Sequence, residues 1–133
     1  MNLRDFYFGK KILVTGHTGF KGAWLSLVLH EMGADVSGIS LPPTDSRGNL
    51  YKIIKLKKKI DSHYLDVRNY NKLKKLIRKI NPELIFHLAA QPYVLKSYQD
   101  PIETITTNVI GTANILEISR ELHSLEAVIN VTT

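Results

Sequence analysis

The stretch Val14-Thr15-Gly16-His17-Thr18-Gly19-Phe20-Lys21-Gly22-Ala23-Trp24-Leu25 decides the fold. It continues an apolar run, Ile12-Leu13-Val14, that reads as a buried strand, and it opens an amphipathic run from Phe20 to Met32 that reads as a helix. A strand, a glycine-rich turn and a helix N-terminus together form a seat for the pyrophosphate of a dinucleotide. Backbone N–H groups approach the phosphates there, and the helix end carries a partial positive charge. In that reading Gly16 makes the tight turn, Gly19 permits the close approach and Gly22 lets the helix touch the strand. The spacing is G-x-x-G-x-x-G rather than G-x-G-x-x-G, and glycines are common in turns. On this stretch alone an ordinary strand–turn–helix corner stays open.

Outward from it, strands and helices alternate. The first strand is Lys11 to Thr15, after a lead-in whose Phe6, Tyr7 and Phe8 are expected to pack under the sheet. Gly33 suits the C-terminal cap of the first helix. A second strand runs from Ala34 to Ile39 and is broken by Ser40-Leu41-Pro42-Pro43. A polar loop and a short helical piece around Leu50 to Leu56 precede a weaker strand, Asp61 to Leu65. Asn69 to Ile80 is a helix closed by Asn81-Pro82, and Glu83 to Leu88 is the fourth strand. Gln91 to Gln99 is irregular or briefly helical. Asp100-Pro101 then caps a helix to about His123, with Ile102, Ile105, Val109, Ala113 and Leu116 as its expected inner face. Glu126 to Val131 is the fifth strand. This alternation predicts an α/β fold, a Rossmann-type doubly wound parallel sheet with strand order 3-2-1-4-5, truncated after strand five. Ligand belongs at the carboxyl ends of strands 1 and 4, where the glycine turn and Ala89-Ala90-Gln91 meet.

Composition narrows the class. With 133 residues, 44% of them apolar, the chain is long enough for one compact domain and too short for two. No apolar run approaches the ~20 residues needed to span a bilayer, so no membrane partner is expected. Met1-Asn2-Leu3-Arg4-Asp5 has no following apolar core and does not read as a signal peptide. There are no cysteines, which excludes disulfides, thiolate metal sites and a cysteine nucleophile and fits a cytoplasmic protein. The net charge is +6, and its excess sits in two stretches, Lys52 to Lys59 and Lys72 to Lys79. In the second, Tyr70, Leu73, Ile77 and Ile80 share one helical face and the basic residues occupy the rest, as on a solvated helix. No aromatic residues interleave with those lysines to stack bases, so no nucleic-acid partner is expected. His17, His63 and His87 fall on scattered strands and loops and predict no metal site.

At this point four segments carry a resemblance. Thr15-Gly16-His17-Thr18-Gly19-Phe20-Lys21-Gly22 resembles the cofactor loop of extended short-chain dehydrogenase/reductases, and His87-Leu88-Ala89-Ala90-Gln91-Pro92 resembles their strand-four motif. Thr107-Asn108-Val109-Ile110-Gly111-Thr112 looks like the helix that follows, and Asn130-Val131-Thr132-Thr133 like the start of the strand-five motif. They occur in family order and together cover nearly the whole chain. Within the superfamily the wording is nearest to the CDP-glucose 4,6-dehydratase group, through the Gly-His-Thr-Gly-Phe-Lys-Gly loop with Trp24, the Ala-Ala-Gln-Pro run, and Ser97-Tyr98 before Pro101.

The resemblance implies a coenzyme, NAD, and a nucleotide-sugar substrate, CDP-glucose, converted to a CDP-4-keto-6-deoxy sugar, a precursor of cell-surface deoxysugars such as O-antigen units. It also implies a homo-oligomer in the full-length protein. Dehydratases of GDP-mannose or dTDP-glucose, UDP-sugar epimerases, and a non-catalytic dinucleotide-binding module are the alternatives. Carried over residue by residue, Gly16, Thr18, Gly19, Phe20, Lys21 and Gly22 would surround the pyrophosphate, and Asp66 and Val67 would meet the adenine. Leu88, Ala89, Ala90 and Gln91 would line the ribose and nicotinamide side, with Tyr93 and Thr107 near it. Thr133 would hydrogen-bond the sugar 4-OH, and Asn108 would support the active site; a helix amide bonded to backbone is its plainer reading. Ser40 stands where many NAD enzymes carry an acid for the adenosine ribose; a serine can bond the ribose but does not repel a 2′-phosphate. Arg47 nearby keeps NADP in play, and the resemblance favours NAD.

The family's Tyr-x-x-x-Lys pair, in which the tyrosine is the base and the lysine lowers its pKa, belongs to a later helix than any here. Tyr7 with Lys11, Tyr51 with Lys55 and Tyr70 with Lys74 have the spacing but lie before strand one or on outer helices, away from the nicotinamide. Residues 1–133 therefore read as an incomplete NAD-binding Rossmann domain without its substrate domain, expected to be inactive alone.

Overall fold

The computed structural model describes residues 2–45 and 48–132. Five parallel strands form one sheet in the order β3-β2-β1-β4-β5, the predicted topology. They are β1 (Lys11–Thr15), β2 (Asp35–Ser40), β3 (Asp61–Tyr64), β4 (Leu84–His87) and β5 (Ala127–Asn130). The central strand is pinned on both sides, Val14 opposite Gly38 of β2 and Phe86 of β4. Ile12, Leu13 and Val14 are all fully buried, as expected of a parallel strand covered on both faces.

Each face has its own core. On one, α2 (Phe20–Glu31), the short α3 (Leu50–Ile53) and the 3-10 turn Leu56–Lys58 pack Ala23, Leu29, Tyr51 and Leu56 against Ile12, Val14 and Val36. On the other, α4 (Tyr70–Ile80) and α7 (Gly111–Ser119) bring Leu73, Ile77, Ile115 and Ile118 against Leu13, Ile39 and Ile85. Leu73 and Ile77 form the buried stripe of α4, with Tyr70 and Ile80 packed at its margin, as the spacing predicted. Gly33 follows α2 in the left-handed region, φ 86°, and Asn81 does the same after α4 with φ 51°.

Three expectations are corrected. The lead-in contains a helix, α1 (Leu3–Tyr7), capped by Asn2 Oδ1, which accepts from the Arg4 N–H. Phe6 and Tyr7 pack on the first core, but Phe8 is 71% exposed and lies over Gly33 rather than under the sheet. The helix opened by Pro101 is not one regular rod to His123. It follows α5 (Val94–Gln99) and comprises α6 (Pro101–Ile105), a π-helical turn at Thr106–Ile110 and α7, ending at Ser119. Its apolar stripe also faces outward: Ile102, Ile105, Val109, Ala113 and Leu116 are exposed, whereas Gly111, Ile115 and Ile118 are buried. Two causes turn the rod. Gly111 lies so close to Val67 that a Cβ would come within 2.7 Å of its Cγ2, and Asn108 and Thr112 bond inward to the β4 end of the sheet.

Candidate coenzyme-binding cleft

The glycine turn and the corner after β4 touch. Gly16 has φ 79°, its N–H bonds to the Ile39 carbonyl (2.8 Å), and a Cβ on it would lie 2.9 Å from the Ala89 nitrogen and 2.9 Å from the Leu88 carbonyl carbon. Only glycine satisfies both the left-handed backbone and this approach. Gly22 is equally constrained, since a Cβ there would overlap the Gly16 carbonyl oxygen and lie 2.7 Å from its carbon. The two glycines together seat the first turn of α2 directly on the loop.

That turn is chemically unsatisfied. Gly19 is the N-cap and no side chain caps the helix. The Ala23 N–H, bonded to the Gly19 carbonyl at 2.9 Å, is the first to close a helical bond, so the N–H groups of Phe20, Lys21 and Gly22 precede the ladder. The Gly19 N–H donates to the Gly16 carbonyl at 3.0 Å, and a Cβ on Gly19 would lie 3.3 Å from that oxygen. An uncapped N-terminus over a glycine turn fits the pyrophosphate of a dinucleotide.

The β4 corner is locked by a chain of side chains that spacing did not reveal. Thr15 Oγ accepts from the N–H groups of Leu88 (3.1 Å) and Ala89 (3.1 Å), which leaves its own proton for His87 Nδ1 at 2.6 Å. His87 is then the Nε2–H tautomer and donates to Thr112 Oγ (3.0 Å), which donates to the Asn108 carbonyl (2.7 Å). Burial lowers the His87 pKa from 6.5 to about 4, so the ring is neutral, as this directional chain requires. Asn108, in the π turn, grips the backbone of Gln91 from both sides: Oδ1 accepts from its N–H (2.8 Å) and Nδ2 donates to its carbonyl (3.2 Å). Asn108 is therefore a positioning residue for the corner.

On the adenosine side the structure spends several side chains expected at the ligand. Ser40 Oγ donates to Thr18 Oγ (2.7 Å), which donates to the Leu41 carbonyl (3.0 Å); both side chains are buried bracing β2, so Thr18 offers the cleft its backbone. Gln91 likewise turns inward, bonding Tyr93 N–H (2.7 Å) and Thr104 Oγ (2.9 Å). The Asp66 carboxylate is held by the Arg68 guanidinium (2.6 Å), which lowers its pKa, and Val67 is core, its carbonyl taken by Asn114. Phe20, Lys21, Ala90 and Tyr93 are exposed at the cleft end of their elements, Leu88, Ala89 and Thr107 are half-buried, and Thr133 and Arg47 lie outside the described residues. His17, inside the loop, is fully buried: its ring packs over Gly38, where a Cβ would overlap it, and Nε2 bonds Ser62 Oγ at 2.6 Å. Its Nδ1 has no well-formed bond, and burial, outweighing the Ile39 carbonyl that favours the proton, lowers its pKa to about 4.

Comparison with known proteins now decides the family. The sequence profile of GDP-mannose 4,6-dehydratase matches residues 13–132. The chain belongs to this family. It is 47% identical over 131 residues to CDP-glucose 4,6-dehydratase of Salmonella typhimurium, covering 98% of this chain and 36% of the relative. It is 34% identical to GDP-mannose 4,6-dehydratase of Vibrio cholerae over 85% of this chain and 32% of that one. Among solved structures, UDP-glucose 4-epimerase of Thermotoga maritima, with UDP-glucose, superposes with TM-score 0.80 at 27% identity over 92% of this chain and 37% of its own. The UDP-glucose 4-epimerase of Thermus thermophilus, in complex with NAD, gives 0.71 at 28% over 86% of this chain and 35% of its own. The chain thus spans about a third of the length of these relatives.

Proposed function

We propose that residues 1–133 form the NAD-binding portion of a CDP-glucose 4,6-dehydratase. The observation that carries this reading is the contact of Gly16 with Leu88 and Ala89, which makes one crevice of the uncapped α2 turn and the β4 corner. The Salmonella relative supports CDP-glucose as the substrate, and the NAD complex of the Thermus epimerase supports the coenzyme. NAD, when bound, supplies a reversible hydride acceptor for C4 of the hexose, and a 4-keto group makes the C5 proton acidic enough for water to leave across C5 and C6.

This chain's residues bind and orient. The N–H groups of Phe20, Lys21 and Gly22 would hold the pyrophosphate, and Gly16 and Gly22 would let the backbone come close to it. Leu88, Ala89, Ala90 and Gln91 form the nicotinamide-side wall, held in register by Thr15, His87 and Asn108. Tyr93 and Thr107 would border that wall, Asp66 and Val67 would lie toward the adenine by their place after β3, and Ser40 would leave the ribose corner without an acid; the resemblance gives the sugar 4-OH to Thr133, which lies outside the described residues. The proton acceptor for that hydroxyl and the sugar-nucleotide domain belong to the rest of the enzyme, so the 133-residue chain alone has no turnover. The test is incubation of the full-length protein with CDP-glucose and NAD, with the product read by mass for loss of one water. Turnover of GDP-mannose in preference to CDP-glucose, or turnover by the isolated chain, contradicts the reading.

A further inference from the structure

Three glycines shape the loop after β1, and a glycine backbone is the least able to hold its own position. The side chains between them have to hold it instead. Thr18 ends on β2, at Ser40 and the Leu41 carbonyl. His17 reaches one strand further. Its ring lies over Gly38 of β2, where any Cβ would overlap it, and Nε2 bonds Ser62 Oγ of β3 at 2.6 Å. Gly38 and Ser62 are register partners, so the missing side chain in β2 clears the ring's way to the next strand. The ring is fully buried and Nδ1 has no well-formed bond, which leaves Nε2 as its polar anchor.

That anchor is itself held. Ser62 Oγ, able both to donate and to accept, also bonds Tyr51 OH at 2.8 Å, and Tyr51 OH bonds Tyr64 OH at 3.0 Å. Burial raises the Tyr51 pKa and keeps the phenol protonated. The Tyr51 ring is 3% exposed and stands edge-on to the His17 ring. A longer tie comes from the same helix: Asn49, the N-cap of α3, donates to the Thr18 carbonyl at 3.5 Å. From the other side α2 presses on the loop, since a Cβ on Gly22 would lie 2.9 Å from the His17 Cα. The His17 backbone is thus set between the first turn of α2 and the hydroxyls of β3 and α3.

We propose that Ser62 and Tyr51 are positioning residues of this loop: acting through the His17 ring, they fix the backbone that carries the pyrophosphate donors. The placement of the loop stands on the contacts themselves. Its consequence for a pyrophosphate rests on the coenzyme reading above.

Three variants of the full-length protein test this. Ser62→Ala cuts the chain, Ser62→Thr restores the hydroxyl, and Tyr51→Phe keeps the ring against His17 while removing the second link. The glycine amide signals are read on NAD-free protein, and affinities for NAD and for ADP-ribose, which share the pyrophosphate, are read by calorimetry. Ser62→Ala is expected to move the signals of Gly16, Gly19 and Gly22 and to weaken both ligands about fivefold. Tyr51→Phe shifts both readouts in the same direction, and Ser62→Thr stays within about twofold of the parent. A urea melt verifies that each variant is folded; a role in stability alone would lower the midpoint and leave loop signals and affinities in place. Loop signals and affinities unchanged in Ser62→Ala overturn the proposal. So does an equal loss in Ser62→Ala and Ser62→Thr, which assigns the effect to space rather than to the hydroxyl. If the parent binds neither ligand, the coenzyme reading falls, while the loop signals of the NAD-free variants still decide whether Ser62 and Tyr51 place the loop.

Discussion

Replacing Thr15 by valine tests how the cleft is held together. Valine keeps the β-branched shape of a strand residue and fits the same volume, so packing is little changed. The hydroxyl it removes makes three bonds: it accepts from Leu88 N–H and Ala89 N–H and donates to His87 Nδ1. Thr15 is fully buried and His87 is 3% exposed, so water does not replace the lost partner. Each buried polar group left unpaired costs about 1–3 kcal/mol. The Leu88 N–H keeps the Thr15 carbonyl at 3.2 Å, so Ala89 N–H and His87 Nδ1 are the groups left unpaired, and with partial relaxation the sum is about 2–4 kcal/mol, a large share of a domain's stability. Thr15→Ser keeps the hydroxyl and loses one methyl, costing about 1 kcal/mol. Urea unfolding of the two variants and the parent, with NAD affinity measured in parallel, reads the difference. The valine variant is expected to unfold at a lower midpoint than the serine variant and to bind NAD at least tenfold more weakly, because Ala89 loses its tether and Leu88 keeps only its bond to the Thr15 carbonyl. Equal midpoints for valine and serine would refute the reasoning.

Gly22→Ala gains about 1 kcal/mol of helix propensity, but its Cβ overlaps the Gly16 carbonyl, a backbone group that cannot swing aside; the clash wins, and both melting temperature and NAD affinity fall. Asn108→Asp replaces the amide donor to the Gln91 carbonyl with an oxygen that repels it, so the urea midpoint is expected to fall and turnover of CDP-glucose by the full-length enzyme to drop at least tenfold. His17 and His87 both have folded pKa values lowered to about 4 from 6.5. The unfolded chain binds more protons in that interval, so their contribution is complete above pH 6.5 and is lost as pH falls toward 4. Urea midpoints between those values should show a slope approaching two protons, roughly halved in His17→Gln; a flat profile contradicts the burial of both rings.

The strands and the glycine loop were legible because their signals are local: an apolar run buried on both faces, and three glycines whose backbones must approach a neighbour. The order of the sheet followed from the alternation of elements and the handedness of their crossovers. The long helix after Pro101 misled for a physical reason. Periodicity assigns the most apolar stripe to the core, yet Thr104, Asn108 and Thr112 face inward and bond the β4 corner while Ile102 and Val109 are exposed. The network of Thr15, His87 and Thr112 left no trace in spacing, since it joins residues 72 and 25 positions apart. Tyr51 was set aside with an outer helix, yet it is 3% exposed and lies edge-on to His17, with ring centres 5.4 Å apart. A five-residue helix such as α1 is too short to show a period; its only hint was the capping asparagine.

One measurement bears most directly on the shared crevice: amide spectra of the full-length protein, labelled selectively at glycine and alanine, during titration with NAD. The signals of Gly16, Gly19, Gly22, Ala89 and Ala90 should shift together and saturate at one affinity, while Gly9, which has open space around it, and Gly33 stay in place. Shifts confined to the latter pair, or movement of the loop glycines without Ala89 and Ala90, would contradict the account.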